Sequence, residues 1–313
     1  MKKPILGLAL FIGICMSGFA QDSDENEEPK EGWQSSGTFS LLFNQAAFNA
    51  EWQGGGSSNY AGNATISYDL NYRKDDFTWD NRFLGDFGLT KTKGDRFSRK
   101  TNDRIEINSV AGWQIEETNW YYSFFANFRS QFAKGYEYSE EDVLDPDTGE
   151  VIDTQTVRTE TTHFMSPGYL QIGPGILWKK NENLHVNFAP ATARFIFVDD
   201  RFTTVPGYVD GDYFGVDQGE SMRFEFGASI GAYAKFTLVE NVTMENMLNL
   251  YSNYLEDPQN VDLDYTGKIN MKVNDYLSAN FIFQTIYDDN AVRAFQVREV
   301  LGVGFTYKIN PED

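Results

Sequence analysis

From Val261 to Val273 the residue types alternate at every step. Val261, Leu263, Tyr265, Gly267, Ile269, Met271 and Val273 share one face, while Asp262, Asp264, Thr266, Lys268, Asn270 and Lys272 share the other. Successive strand side chains point to opposite sides, so this stretch is a ribbon with one apolar and one charged surface, as a wall between lipid and water requires. The same ribbon recurs along the chain. It predicts about twelve strands, near residues 37–45, 57–73, 76–92, 101–116, 119–133, 167–180, 183–198, 221–238, 241–255, 259–273, 276–288 and 295–309.

The connections between these segments are of two kinds. Very short turns are expected at Lys74-Asp75, Glu117-Thr118, Asn181-Glu182, Glu240 and Asn274-Asp275, and longer linkers join the resulting hairpins. The longest run from Lys134 to Ser166 and from Asp199 to Glu220. Short periplasmic turns and long extracellular loops are the layout of an outer-membrane barrel, and an even strand count returns both termini to the periplasmic side.

Alternation alone does not say which face points outward, because a soluble barrel alternates as well. Three features decide it. Many segments are far longer than an ordinary strand of about 5 to 6 residues and exceed the roughly 9 to 11 that a tilted transmembrane strand needs. A barrel wider than about eight strands has more interior than side chains fill, so an apolar interior would be a void. Finally, Trp79, Trp113, Trp120 and Trp178 lie near short turns on the apolar face, where Tyr72, Tyr276 and Tyr307 join them. This is the position of an interfacial aromatic girdle; Tyr60, Phe197, Phe224, Tyr254 and Phe295 supply the opposite one. The expected fold class is all-β, an antiparallel transmembrane up-and-down β-barrel.

The N-terminus carries Lys2 and Lys3, an apolar run from Ile5 to Met16, and small residues at Gly18 and Ala20, which marks residues 1–20 as a cleaved signal peptide. The only cysteine, Cys15, follows Ile14, where lipid attachment wants a small residue, so the mature chain is expected to lack both a lipid and a thiol. Disulfides, iron–sulfur clusters and cysteine-based zinc sites are thereby excluded. Residues 21–32 are acidic with almost nothing apolar and are expected to form a disordered tether ahead of a barrel over 33–313. No later stretch approaches the roughly 18 to 20 apolar residues of a membrane helix. The net charge of −20 argues against nucleic acid and fits solvated outer loops.

The polar face carries both signs. Its charges are Asp80, Arg82 and Asp86, then Arg104, Glu106 and Arg129, then Arg223, Glu225, Lys235 and Glu245, and finally Asp262, Asp264, Lys268, Lys272 and Arg298. An ion pore tends to ring itself with one sign. Mixed signs across a narrow lumen pair instead and cross-link the wall, so a structural or interaction role is expected, with passage of a small polar solute as the alternative. A hydrolase has little support: His163 and His185 fall at opposite ends of the barrel, and no G-x-S-x-G pattern occurs. Asp145-Pro146-Asp147-Thr148-Gly149 is better explained as a hairpin tip between Val143-Leu144 and Val151-Ile152 than as a calcium loop. Divalent cations bridging acidic loops, including Asp199, Asp200, Asp210, Asp212 and Asp217, are a further expectation. Outer-membrane lipid and the outer-membrane assembly machinery are the remaining expected partners. No cofactor, catalytic or metal-ligating residue is assigned.

Several segments in combination resemble Bacteroidetes-type outer-membrane β-barrel proteins carrying a domain of unknown function. They are Trp52-Gln53-Gly54-Gly55, Asn102-Asp103-Arg104-Ile105-Glu106-Ile107, Gln131-Phe132 with Gly135-Tyr136, Ser166-Pro167-Gly168-Tyr169, Leu250-Tyr251-Ser252-Asn253-Tyr254 leading into Asp257-Pro258-Gln259-Asn260-Val261-Asp262, and Ile286-Tyr287-Asp288-Asp289. The resemblance implies a fold and a location and brings no functional residue with it. The chain departs from the usual terminal aromatic, since Lys308 to Asp313 follow Phe305 and Tyr307.

Overall fold

The computed structural model describes residues 31–309 apart from 50, 52, 54, 55 and 289. The expected signal peptide, the acidic segment up to residue 30, Trp52 with Gly54 and Gly55, Asp289 and the final four residues lie outside the described residues. Twelve strands form one closed antiparallel barrel, as the alternation predicts. They are β1 (Gly32–Ala46), β2 (Asn59–Lys74), β3 (Phe77–Thr92), β4 (Arg99–Gln114), β5 (Trp120–Ser130), β8 (Gly168–Asn181), β9 (Leu184–Phe197), β10 (Met222–Val239), β11 (Val242–Asn253), β12 (Val261–Lys272), β13 (Leu277–Asp288) and β14 (Val292–Ile309). Each pairs with its chain neighbour, except that β5 pairs with β8 and β1 closes on β14.

Between β5 and β8 the chain leaves the wall as a separate two-stranded hairpin, β6 (Gly135–Leu144) and β7 (Val151–Thr162). Its tip is made by the Asp145 carboxylate, which accepts from the backbone N–H groups of Asp147 and Thr148 at 2.8 and 2.9 Å. That capping makes a turn of the acidic stretch and holds the Asp145 carboxyl below its ordinary range, Thr148 being the stronger donor.

The turns that follow β2, β4, β8, β10 and β12 share one end of the barrel with the start of β1 and the finish of β14. Asp75, Glu116 and Asn241 adopt positive φ there, a conformation that Asp and Asn tolerate better than most residues. This turn end contrasts with a loop end, where the β9–β10 connection folds back on the wall. Tyr213, Phe214 and Val216 from that connection pack against Tyr169, Ile196 and Val198. Gly215, at φ +75°, allows the approach of Arg223, whose guanidinium donates to the Gly215 carbonyl at 2.7 Å.

The strands are held by ladders of ten or more residue pairs, with one exception. The β1–β14 closure runs only from Gly37 opposite Ile309 to Phe43 opposite Val303. β1 itself starts five residues earlier than the alternation suggests, because Gln34, Ser35 and Ser36 hide the pattern. Trp33 nevertheless pairs with Tyr72 and joins the aromatic belt.

Candidate functional site

Register fixes which side chains enter the lumen. Asp69 opposite Arg82, Asp86 opposite Arg104 and Glu106 opposite Arg129 place one charged row inside. Lys235 opposite Glu245, and Glu245 opposite Lys268, place another. On the outward face Trp79, Trp113, Trp120, Tyr276 and Tyr307 are exposed at the turn end, with Tyr72 and Trp178 half-buried. Trp33 touches both Tyr72 and Trp79, at ring separations of 5.1 and 5.7 Å, and Phe77 lies 5.0 Å from Trp113. At the loop end Tyr60, Phe224, Tyr254 and Phe295 are exposed, and Phe195 stacks on Phe197 and meets Phe224 at a tilt of 56°.

The lumen charges form tiers along the axis. In the middle tier, Asp264 of β12 meets Arg104 of β4 at 3.0 Å and Arg129 of β5 at 2.5 Å. β4 and β12 stand on opposite walls of the twelve-strand circle, so this pair spans the full width of the lumen. Arg104 also contacts Glu106, and Gln284 donates to Asp264 at 3.2 Å. Asn108 and Asn127 complete the acceptor needs of Glu106, each at 2.9 Å. Charges buried this deeply require such pairing, because an unpaired ion out of water is costly.

Toward the loop end, Arg194 gathers Asp262, Asp288 at 3.2 Å and Glu225 at 3.5 Å. Its guanidinium also lies over the rings of Tyr169 and Tyr251, at 5.3 and 4.8 Å. Arg223 bonds Glu225 at 2.9 Å and Glu256 at 2.5 Å. Toward the turn end, Arg82 pairs with Asp69 at 2.5 Å and lies 3.9 Å from the centre of the Tyr233 ring, on a strand five places around the barrel. Lys179 holds Asp80 and Glu182, both at 2.7 Å. Arg298 reaches Asp86 at 3.0 Å.

The remaining charges expected from the sequence are less central. Lys235 and Glu245 stand 3.8 Å apart and half-exposed, Lys268 lies beside Glu245 in register, and Lys272 turns to Asp275 at the rim. Sequence reasoning missed Asp69, Lys179, Arg194 and Asp288. For Arg194 the cause is a register shift in β9, between the pairs made by Ala189 and Thr192. Parity counted from His185 puts Arg194 outside, and the extra residue of the shift turns it in.

What the side chains leave open is small. Two cavities of about 130 and 40 Å³ share a wall of Arg104, Glu106, Asn127, Gln171, Asn249 and Asp264. Recesses of about 270 and 250 Å³ lie at the loop end and the turn end. His185 stacks on Tyr233 inside the lumen, whereas His163 sits at the loop end between Glu160 and Asp199, at 3.2 and 3.4 Å. Among the described residues no group of three or more His, Cys, Asp or Glu side chains is placed to hold a metal ion.

A closed barrel with charges inside and aromatic belts outside resembles outer-membrane proteins. Residues 43–136 match the family described as "Protein of unknown function (DUF3078)". Similar solved structures include an outer membrane channel from Pseudomonas putida F1, with 10% identity, a TM-score of 0.37, and coverage of 92% of this chain and 98% of that one. The translocator domain of autotransporter NalP from Neisseria meningitidis is 9% identical, with a TM-score of 0.35 and coverage of 97% and 96%. The CymD monoaromatic hydrocarbon channel is 9% identical, with a TM-score of 0.33 and coverage of 90% and 89%. No curated protein sequence matches the chain. The fold class rests on the closed ladder itself.

Proposed function

We propose that this chain is an outer-membrane β-barrel, loop end outward, whose lumen is shut by ion pairs that tie opposite walls together. Its role is that of a stiff membrane-embedded support presenting the β6–β7 hairpin and the β9–β10 connection, and it is not an enzyme. The observation that carries this reading is the Arg104–Asp264–Arg129 bridge across the full barrel width. The aromatic belts support the membrane setting, since such girdles mark the two interfaces of a barrel wall. The separation of His163, at the loop end beside Glu160, from His185, stacked on Tyr233 inside the lumen, supports the non-enzymatic reading.

A second reading is favoured by the cavities along the axis, which only side chains separate. On that reading the barrel passes a small polar solute when the bridges part. Planar-bilayer recording of the refolded protein separates the two. Silence after verified insertion is the expected result, and steady open steps would replace the support role with the channel.

A further inference from the structure

At the loop end, arginines and aromatic rings from two elements interleave. Arg96 and Phe97 lie in the β3–β4 connection, Arg99 opens β4, and Tyr136, Tyr138 and Arg158 share a face of the β6–β7 hairpin, Tyr138 being the register partner of Arg158. The hairpin rests on the connection through the Tyr138 hydroxyl, which donates to the Ser98 carbonyl at 3.2 Å. Arg96 donates back to Gln155 Oε1 and to the Thr156 carbonyl, both at 3.3 Å.

The rings hold the guanidinium groups in place. Arg158 stands 4.2 Å from the centre of the Tyr136 ring and 4.7 Å from that of Phe97, and Arg96 stands 5.2 Å from the same Phe97 ring. Arg99 lies 4.8 Å from the Tyr138 centre, and the Phe97 and Tyr138 rings are 6.1 Å apart. In the lumen, by contrast, each arginine has a carboxylate at 3.0 Å or closer. Among the described residues Arg96 and Arg158 have none within ion-pair reach, and the contact of Arg99 with Asp95 is 3.9 Å long. Stacking on a ring orients a guanidinium and leaves its edge toward solvent; Arg158 donates to no acceptor among the described residues, and Arg96, whose Nη1 bonds Gln155 and Thr156, keeps the Nε and Nη2 edge. Two such forks around one ring suit a phosphate, which accepts paired N–H bonds in that geometry.

Position selects the source of the phosphate. Lys91 is the register partner of Tyr60, an exposed ring of the loop-end belt, and Lys93 follows it toward the cluster. Interfacial aromatics of this kind sit at headgroup level. In a chain of net charge −20, the stretch from Lys91 to Lys100 holds five cations and one carboxylate, Asp95, whereas the hairpin that meets it is acidic apart from Arg158. We propose that the cluster binds the phosphate of a phosphorylated glycolipid in the outer leaflet, with Arg96 and Arg158 as the clamp. The inference rests on the membrane orientation given above.

The test uses the full-length protein in nonionic detergent, titrated with a diphosphorylated disaccharide lipid, its dephosphorylated form and inorganic phosphate. Binding of the diphosphorylated lipid is expected, at least about tenfold weakened by removal of its phosphates and by the pair Arg96→Gln and Arg158→Gln, as loss of charge-assisted bonds predicts. The single variant Arg158→Gln keeps the test usable if the double variant does not fold. Equal binding by correctly folded variants would overturn the clamp. Inorganic phosphate binding as tightly as the lipid would overturn the glycolipid. Membrane fractionation is measured in parallel: a chain found in the soluble fraction sinks the barrel reading, whereas normal fractionation with unchanged lipid binding sinks this inference alone.

Discussion

Lys268 and Ile269 are adjacent in sequence and face opposite surroundings, Lys268 beside Glu245 in the lumen and Ile269 beside Met244 and Phe281 on the outward face. If that face meets lipid near the midplane, Ile269→Arg costs about 2 to 4 kcal/mol of barrel stability, whereas Lys268→Arg changes little. Reversible urea unfolding in vesicles measures the difference, and equal stability of the two variants would contradict the orientation. At this scale the sequence was legible wherever parity ran unbroken. β12 carries no bulge and pairs evenly with both neighbours, so parity runs unbroken from Asp262 to Lys272, and Asp262, Asp264 and Thr266 line the cavities. Arg194 shows the limit of parity. Pro190 is the local signal for it, since a proline inside a strand paired on both sides sits at a bulge, but how the face changes is set by how β8 and β10 pair with β9.

Elements outside the wall answer to different forces. The β6–β7 hairpin has little apolar burial and is tied to the β9–β10 connection through Glu160, which Lys134 approaches at 2.6 Å and Arg201 also contacts. Tyr213 adds a hydroxyl donation to the Thr161 carbonyl at 2.7 Å, and burial pushes that phenol up to about 12. The hydrogen bond from Lys134, followed by Arg201, holds the Glu160 carboxyl below its ordinary value. Its folded pKa is therefore lower than the unfolded one, about 4.3, so its contribution is complete above that value and disappears as pH falls through the folded pKa. Pepsin is expected to cut the hairpin of the parent protein only below the unfolded glutamate value of about 4.3, and that of Glu160→Gln already above it. The same onset in both would show that Glu160 does not anchor the hairpin. The hairpin turn was legible from Asp145 to Gly149, because its apolar flanks and turn residues are local. That the hairpin leans on the β3–β4 connection was not, because Phe97, Tyr136 and Arg158 meet only in three dimensions.

For the molecule as a whole, the question is what the mixed lumen charges do together. Strand number and closure were readable from alternation and turn spacing, since both are set by local residue types. The pairing partners of the lumen charges were not, because strands half a circle apart meet only after the barrel closes. Two crossings block the axis, Arg104 and Arg129 with Asp264 in the middle and Arg82 with Tyr233 nearer the turn end. Replacing Arg104, Arg129 and Asp264 together by Ala removes both signs of the bridge at once, leaves the Glu106 carboxylate only its hydrogen bonds from Asn108 and Asn127, and merges the two cavities that share this wall. The Arg82–Tyr233 crossing still spans the lumen, and this triple variant is expected to stay silent in planar bilayers. Adding Arg82→Ala and Tyr233→Ala removes the second crossing, and steady open steps are then expected, with conductance rising with salt concentration. Open steps in the triple variant would leave Arg82 and Tyr233 no part in closure. Silence of the five-fold variant after verified insertion would mean that something other than these side chains closes the barrel.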